Sequence, residues 1–213
     1  MNTPLQERST AAFTLVELVA ITAVMALLFA VLLSGAVRTK QKAQRIACVG
    51  NLKEIGVGFR LFATDHGDKY PTPAATNEVV WPVVNGRTNY AAGCFRALFP
   101  ALPKPHILVC PADHREPASS SHSLTDSNVG YFVNLAADET RPQMLLTGDR
   151  NLSVNGQAAP SGLLLLTPHD RLGWTTELHR GMGNVAMGDA SVQSVPSERL
   201  SSFAGDTNRL AVP

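Results

Sequence analysis

The chain has 213 residues, which suits one compact domain with an appended segment, because domains usually contain about 100–150 residues. Its 18 basic side chains nearly balance its 17 acidic ones, so charge gives no reason to expect nucleic acid as a partner. Three cysteines are odd in number and too few for a disulfide-rich scaffold.

The first predicted element is a transmembrane helix over residues 13–37. This segment contains no Pro, Lys, Arg or Asp. A spanning helix needs about 20 apolar residues, so the segment can cross a bilayer with some tilt. A secretory signal peptide cut after Ala36 is the alternative, because small residues stand at 34–36, but the apolar run exceeds the usual ~7–15 residues.

Charges near this segment complicate the prediction. Basic residues within 38–45 would keep the rest of the protein in the cytoplasm by the positive-inside rule. Glu17 lies inside the apolar run, where a carboxylate costs about 2.5–3.5 kcal/mol and usually has a partner or a function. The plainest interpretation is a side chain that reaches the polar interface.

The residues around Glu17 resemble a known processing site. The string AFTLVE at 12–17 closely resembles the Gly-Phe-Thr-Leu-x-Glu site of type IV prepilins and type II secretion pseudopilins, with Ala12 where Gly is usual. In that family a prepilin peptidase cuts before the Phe, on the cytoplasmic side, and methylates the new amino terminus. The resemblance implies a leader over 1–12, cleavage between Ala12 and Phe13, and N-methylation of Phe13. It also implies that Glu17 is the filament-assembly glutamate.

The same resemblance gives Glu17 a physical role. Cleavage creates an α-amino group, which is largely cationic at neutral pH. In a filament the amine of one subunit could meet Glu17 of its neighbour, and a pair of opposite charges in lipid is tolerated better than either charge alone. The implied partners are the prepilin peptidase, neighbouring subunits and an inner-membrane assembly platform. The resemblance places the leader in the cytoplasm and the C-terminal domain outside, in the periplasm.

Residues 38–65 are predicted to continue the same helix as its amphipathic half. Apolar residues recur there at spacings of 4, 3, 4 and 3, which is one stripe of a helix that ends near Ala63. The string CVGNLKEIG at 48–56 and the following DHGDKYP also resemble a large pilin-like family. The stripe consists of Cys48, Leu52, Ile55, Phe59 and Phe62.

The remaining residues, 66–213, are predicted to form a globular domain of short strands and loops. The overall expectation is an α+β, pilin-like fold, in which the long helix packs on a C-terminal antiparallel sheet. A hairpin turn is expected at Asn85-Gly86 and a short helix over Ala91–Phe99. The predicted strands are Val79–Val84, Ile107–Cys110, Tyr131–Asn134, Met144–Thr147 and Leu163–Thr167.

The cysteines leave two possibilities open. In an exported domain Cys94 and Cys110 could form a disulfide across a short loop. Alternatively, all three cysteines are small apolar fillers. Cys48 lies on the helical stripe and is predicted to be buried and unpaired.

The string LHRGMGNVAMGDASVQSV at 178–195 resembles a further signature of the same relatives, a His followed nine residues later by Asp-Gly. His179 and Asp189 have this spacing, and Ala190 replaces the Gly. We expect a strand–turn–strand here, braced by a hydrogen bond between His179 and Asp189. The strings LVCPAD at 108–113 and TGDRNL at 147–152 resemble these relatives as well.

No established catalytic or metal-binding motif occurs, such as Cys-x-x-Cys, His-Glu-x-x-His or Gly-x-Ser-x-Gly. We therefore predict no catalytic, cofactor or metal residues. Some pseudopilins bind calcium, and a site using Asp65 and Asp68, or Asp149, is the remaining alternative. The predicted function is a pilin-like filament subunit. The alternative is a membrane-tethered ligand-binding or hydrolytic domain, which should have a polar pocket with converging His and Asp.

Overall fold

The computed structural model describes residues 13–72, 81–84, 86–102, 104–206 and 209–213. The predicted leader with Ala12, the start of the predicted strand Val79–Val84 and Asn85 lie outside the described residues. The chain divides into two compact units, Met1–Lys40 and Gln41–Pro213.

Helix α1 runs without interruption over Leu15–Asp65, as the sequence predicts. Its apolar part, Leu15–Leu32, has no buried residue and is long and apolar enough to cross a membrane. Beyond Gln41 the helix buries the predicted stripe, and Cys48, Leu52 and Phe59 have no exposed surface. Burying each large apolar side chain contributes about 1.5–3 kcal/mol, so the stripe anchors this part of α1.

The second unit contains antiparallel sheets and short helices. The helices are α2 (Tyr90–Ala97) and α3 (Ser197–Leu200), with 3-10 turns at Pro105–Leu108, Asp126–Asn128 and Ser201–Asp206. The strands are β1 (Val83–Val84), β2 (Arg87–Thr88), β3 (Tyr131–Asn134), β4 (Leu145–Asp149), β5 (Leu152–Val154), β6 (Gln157–Ala158), β7 (Gly162–Leu165), β8 (Leu172–Trp174), β9 (Met182–Met187), β10 (Val192–Pro196) and β11 (Arg209–Val212).

Six of these strands form the central sheet, in the order β10-β9-β4-β3-β11-β7. Successive side chains of a strand point to opposite faces of its sheet. On β3, Tyr131 and Val133 therefore pack in one core with the α1 stripe, while Phe132 packs in a second core. That second core also contains Leu152 and Trp174 from the three-stranded sheet β6-β5-β8. The central sheet is thus covered on both faces.

The structure confirms several predicted elements and corrects others. Strand β3 has the predicted bounds, and β1 and β2 form the predicted hairpin. The predicted strand Ile107–Cys110 is wrong: Pro105 begins a 3-10 turn there, and its fixed φ favours a turn over a strand. The α+β class with antiparallel sheets is confirmed.

The predicted disulfide between Cys94 and Cys110 is wrong. Cys110 is bonded to Cys48, with the two Cα atoms 5.3 Å apart, so the prediction that Cys48 is unpaired is also wrong. Cys48 is buried as predicted. The stripe of α1 faces the loop that carries Cys110, whereas α2 directs Cys94 into the apolar core, where it keeps a free thiol.

Candidate functional site

Four side chains that can bind a metal converge inside the second unit. They are Cys48, Cys110, Asp149 and His179, and their ligand atoms all lie within 4.8 Å of one another. We call these four residues the CCDH cluster. Each lies in a different quoted string of the sequence, at 48–56, 108–113, 147–152 and 178–195.

Different elements supply the members of the CCDH cluster. Cys48 projects from α1, Cys110 follows the 3-10 turn Pro105–Leu108, and Asp149 ends β4. His179 lies in the loop between β8 and β9, with φ of 51°, and Arg180 after it has φ of 56°. Positive φ is uncommon for residues other than glycine and recurs at functional sites.

His179 is the centre of the contacts in the cluster. Its Nε2 atom lies 3.3 Å from the Sγ atom of Cys110 and 3.4 Å from Oδ2 of Asp149. The side chains of His179 and Asp149 are 2% and 0% exposed. The cluster is therefore shielded from bulk water, where polar interactions are stronger than at the surface.

Neighbouring residues hold one oxygen of Asp149. Asn184 donates to Oδ2 from its backbone N at 2.7 Å and from Nδ2 at 2.9 Å. Ser194 donates from Oγ to Oδ1 of Asn184 at 2.5 Å, and Arg45 donates from Nε to that Ser194 oxygen at 3.4 Å. The other carboxylate oxygen of Asp149, Oδ1, is buried and accepts no hydrogen bond from the described residues. A buried acceptor without a partner is uncommon and calls for an explanation.

Burial shifts both titratable groups of this contact toward their neutral forms. It raises the pKa of Asp149 to about 7, although the hydrogen bonds from Asn184 oppose the shift. It lowers the pKa of His179, and the positive charge of Arg45 acts in the same direction. Both shifts therefore disfavour the charged salt bridge that an imidazolium and a carboxylate would form here.

An ion pair between Arg150 and Asp113 lies next to the CCDH cluster. It joins the segment that carries Asp149 to the segment that carries Cys110. Arg150 donates to both carboxylate oxygens of Asp113, at 2.6 and 2.8 Å, and also to Glu177. The side chain of Asp113 is fully buried. Burial would raise the pKa of Asp113, but the hydrogen bonds and charge of Arg150 outweigh it and lower that pKa. The pair fixes the loop after Cys110 against the end of β4.

A surface cavity of about 730 Å³ adjoins the cluster. Arg45, Glu177, His179, Arg180 and Ser194 are among the residues that line it. His179 belongs to both the cavity lining and the cluster, so the cavity adjoins the cluster at this residue, although its side chain is only 2% exposed.

The predicted hydrogen bond between His179 and Asp189 is wrong. His179 precedes β9 and Asp189 follows it, and a strand of six residues separates its ends by about 20 Å. Asp189 instead accepts a hydrogen bond on Oδ1 from the backbone N of Ser191, at 2.8 Å. The predicted strand–turn–strand is confirmed, since β9 pairs with β10. The residue with positive φ in the turn is Ala190, at 63°.

The other predicted site residues lie apart from the cluster. Phe13 is exposed, and Oε2 of Glu17 accepts hydrogen bonds from N and Oγ1 of Thr14, both at 2.9 Å. Three aspartates were candidates for a calcium site. Among the described residues, Asp149 belongs to the CCDH cluster, and Asp65 and Asp68 do not.

The sequence marks Cys48 and Cys110 as packing or disulfide residues and does not connect them with Asp149 and His179. The available signal is that all four residues lie in strings singled out above and are of types that bind transition metals. No protein-family model, curated protein or solved structure matches the chain.

Proposed function

We propose that the chain is a pseudopilin, a pilin-like structural subunit of a type II secretion or type IV pilus-like filament. The observation that carries this proposal is helix α1. It begins within the AFTLVE string, exposes apolar side chains over Leu15–Leu32, and then buries a stripe in an α+β unit. A helix with these two halves can serve as both membrane anchor and filament core.

Glu17 is proposed to set the stagger between subunits. Its carboxylate accepts hydrogen bonds from Thr14, the residue directly after Phe13. In the processed chain the amine of Phe13 is therefore near an acceptor of opposite charge. In a filament, the amine of a neighbouring subunit can take the same position, which satisfies both charges in the apolar surroundings.

The proposed location is the inner membrane, crossed once, with the leader in the cytoplasm and the C-terminal domain in the periplasm. The disulfide between Cys48 and Cys110 supports this orientation, because disulfides persist in oxidising compartments and are rare in the cytosol. In this role the chain is a substrate of the prepilin peptidase and has no catalytic task of its own. Its partners are neighbouring subunits and the assembly platform.

The first test is the mass of the mature amino terminus after co-expression with a prepilin peptidase. We expect a chain that begins with N-methylated Phe13. A chain that keeps Met1 contradicts the processing step, and a chain that begins at Val37 indicates signal-peptide cleavage instead.

The second test separates processing from assembly. Glu17→Ala should be processed and inserted but should fail to enter filaments or to cross-link with neighbouring subunits. Glu54→Ala is the matched control, since Glu54 is an exposed carboxylate on the same helix. Equal assembly of the Glu17→Ala and wild-type chains would remove the proposed role.

One observation favours a second candidate, a membrane-tethered ligand-binding domain. His179 and Asp149 converge beside the 730 Å³ cavity, which is the feature that such a domain requires. A chain that is processed at Phe13 but remains monomeric in the membrane, with Glu17→Ala unimpaired, would favour this candidate over the pseudopilin.

A further inference from the structure

We propose that the CCDH cluster is a zinc site that alternates with the Cys48–Cys110 disulfide. With the disulfide reduced, the two thiolates, the imidazole of His179 and the carboxylate of Asp149 bind one Zn²⁺ ion. With the disulfide formed, the site holds no metal. This inference is independent of the filament role, since it concerns only the second unit of the chain.

The ligand types select the metal. Two sulfur ligands, one nitrogen and one oxygen suit Zn²⁺, which takes four Cys, His or carboxylate ligands in tetrahedral geometry. Ca²⁺ and Mg²⁺ prefer oxygen ligands only, so sulfur ligands disfavour both. The calcium site suggested by the sequence is therefore replaced here by a site for a softer cation.

The distances fit this assignment. At zinc–ligand bond lengths of about 2.0–2.3 Å, adjacent ligand atoms of a tetrahedron lie about 3.3–3.8 Å apart. The Nε2 atom of His179 lies 3.4 Å from Asp149 Oδ2 and 3.3 Å from Cys110 Sγ. His179 thus already has near-tetrahedral spacing to two of the other three ligands.

An independent observation also points to a ligand. Oδ1 of Asp149 is fully buried and accepts no hydrogen bond from the described residues. A cation bound to Asp149 would neutralise the buried carboxylate to which this oxygen belongs and offset the cost of burying it. Asn184 donates twice to Oδ2, the oxygen that lies 3.4 Å from His179, and so fixes the orientation of the carboxylate, as residues around metal ligands commonly do.

A packing role alone does not account for His179. An apolar side chain would fill the same volume without a buried polar ring, and residues other than glycine rarely take the positive φ found at both His179 and Arg180. His179 is also among the residues that line the cavity, so the cavity adjoins the cluster at this residue.

The exchange balances chemically. A dithiol gives two electrons and two protons to the disulfide, so that the S–S bond breaks, two thiols form, and the dithiol becomes a cyclic disulfide. Zn²⁺ then displaces the two thiol protons as two Zn–S bonds form. A thiol oxidant such as diamide takes two electrons from the two thiolates and two protons from water to become a hydrazine, while the S–S bond re-forms and the ion is released.

The test uses the untagged full-length chain in detergent micelles. One sample is reduced with dithiothreitol and freed of it under anaerobic conditions, and the other keeps its disulfide. Each is titrated with Co²⁺ and then with Zn²⁺. We expect the reduced chain alone to bind one ion per chain, to show tetrahedral visible bands and thiolate charge-transfer bands with Co²⁺, and to lose them to Zn²⁺. Diamide should release the zinc.

Variants identify the ligands. His179→Gln and Asp149→Asn should each weaken zinc binding by more than about 100-fold. Substituting residues that only support a metal ligand already lowers metal affinity by about 10–100-fold, and loss of a ligand should lower it more. His122→Gln and Cys94→Ala are the controls, since His122 is exposed and Cys94 is outside the cluster. Both should bind like wild type.

Three results would overturn the proposal: no binding by the reduced wild-type chain, equal binding by the oxidised chain, or unchanged affinity in the His179→Gln chain. The comparison of reduced and oxidised wild type needs no substitution, so it remains decisive if a variant fails to fold. A chain that does not bind zinc can still be processed at Phe13 and can still require Glu17 for assembly. The tests of the two proposals therefore give separate answers.

Discussion

Ala190 packs directly against Gly56, and a Cβ atom on Gly56 would lie only 2.9 Å from the Cβ of Ala190. The contact joins the turn between β9 and β10 to helix α1. The same turn is held by Tyr70, whose hydroxyl donates to the backbone O of Gly188 at 2.5 Å. The turn that contains Asp189 and Ala190 therefore packs against α1, whereas His179 belongs to the CCDH cluster.

This contact predicts that Gly56→Ala lowers the free energy of unfolding by about 1–3 kcal/mol, because the added methyl group overpacks the turn. Ala190→Gly should relieve the overlap, and it also removes the strain of positive φ at Ala190. The double variant should therefore be more stable than Gly56→Ala alone. Urea unfolding followed by tryptophan fluorescence measures all three chains.

Gly50→Ala is the control for that comparison. A Cβ on Gly50 meets no atom within 4 Å, so this change should add only helix propensity, about 1 kcal/mol. If the double variant is as unstable as Gly56→Ala, then overlap with the Ala190 side chain is not the cause of the lost stability.

The helical stripe gives a second prediction. Phe59 is fully buried, with its ring in edge contact with Tyr70 at 5.5 Å and Phe95 at 6.1 Å. Phe59→Ala should cost about 3–5 kcal/mol of unfolding free energy, through lost burial and a cavity. Leu61→Ala, two residues further along the same helix, is the matched control because Leu61 is exposed. Similar losses for both variants in urea unfolding would contradict the assignment of the buried face.

Helix α1 was predictable because its signals are local. An apolar run predicts its first half, and apolar residues spaced three and four apart predict its second half. Neither prediction requires knowing which elements pack against the helix. Strand β3 was found for the same reason, as an apolar β-rich run. Strands β5 and β8 were missed because they are short, and only packing on the second face of the central sheet stabilises them.

The CCDH cluster was not predictable because it depends on long-range geometry. Cys48 and Cys110 are 62 residues apart, and only the packing of α1 on the loop after the 3-10 turn shows that they meet. The spacing between His179 and Asp189 suggested a mutual contact, but the intervening strand β9 directs them to opposite ends of the sheet. Local patterns identified the segments and not their partners.

The ion pair beside the cluster gives a third prediction. Asp113 is buried, and its carboxylate accepts two hydrogen bonds from Arg150 besides those from the backbone N atoms of His114 and Arg115. Arg150→Gln should lower the free energy of unfolding by about 3–5 kcal/mol, because it removes the charged side chain that is paired with this buried carboxylate. The double variant with Asp113→Asn should recover part of this loss, since the buried charge is then absent. A double-mutant cycle from urea unfolding measures the coupling, and strict additivity would contradict it.

The fourth prediction concerns pH and Asp126. Its Oδ1 accepts a hydrogen bond from the backbone N of Ala92 at 2.8 Å. Burial raises the pKa of Asp126 to about 6, although hydrogen bonds from the start of α2 and the charge of Arg115 oppose the shift. A raised pKa means that the folded state holds the proton more tightly than the unfolded state. The stability that this group contributes is therefore complete below about pH 4 and is lost as the pH rises through about 6.

Asp126→Asn removes this titration and keeps an oxygen acceptor for Ala92. Relative to wild type, the variant should become more stable by about 1–3 kcal/mol between pH 4 and pH 7, because a shift of one pKa unit corresponds to about 1.4 kcal/mol. Urea unfolding of both chains at several pH values measures the difference. Asp138→Asn is the control: hydrogen bonds from Thr140 lower the pKa of Asp138, so its contribution changes only as the pH falls below about 4. If the stabilities of Asp126→Asn and wild type run parallel over pH 4–7, folding does not raise the pKa of Asp126.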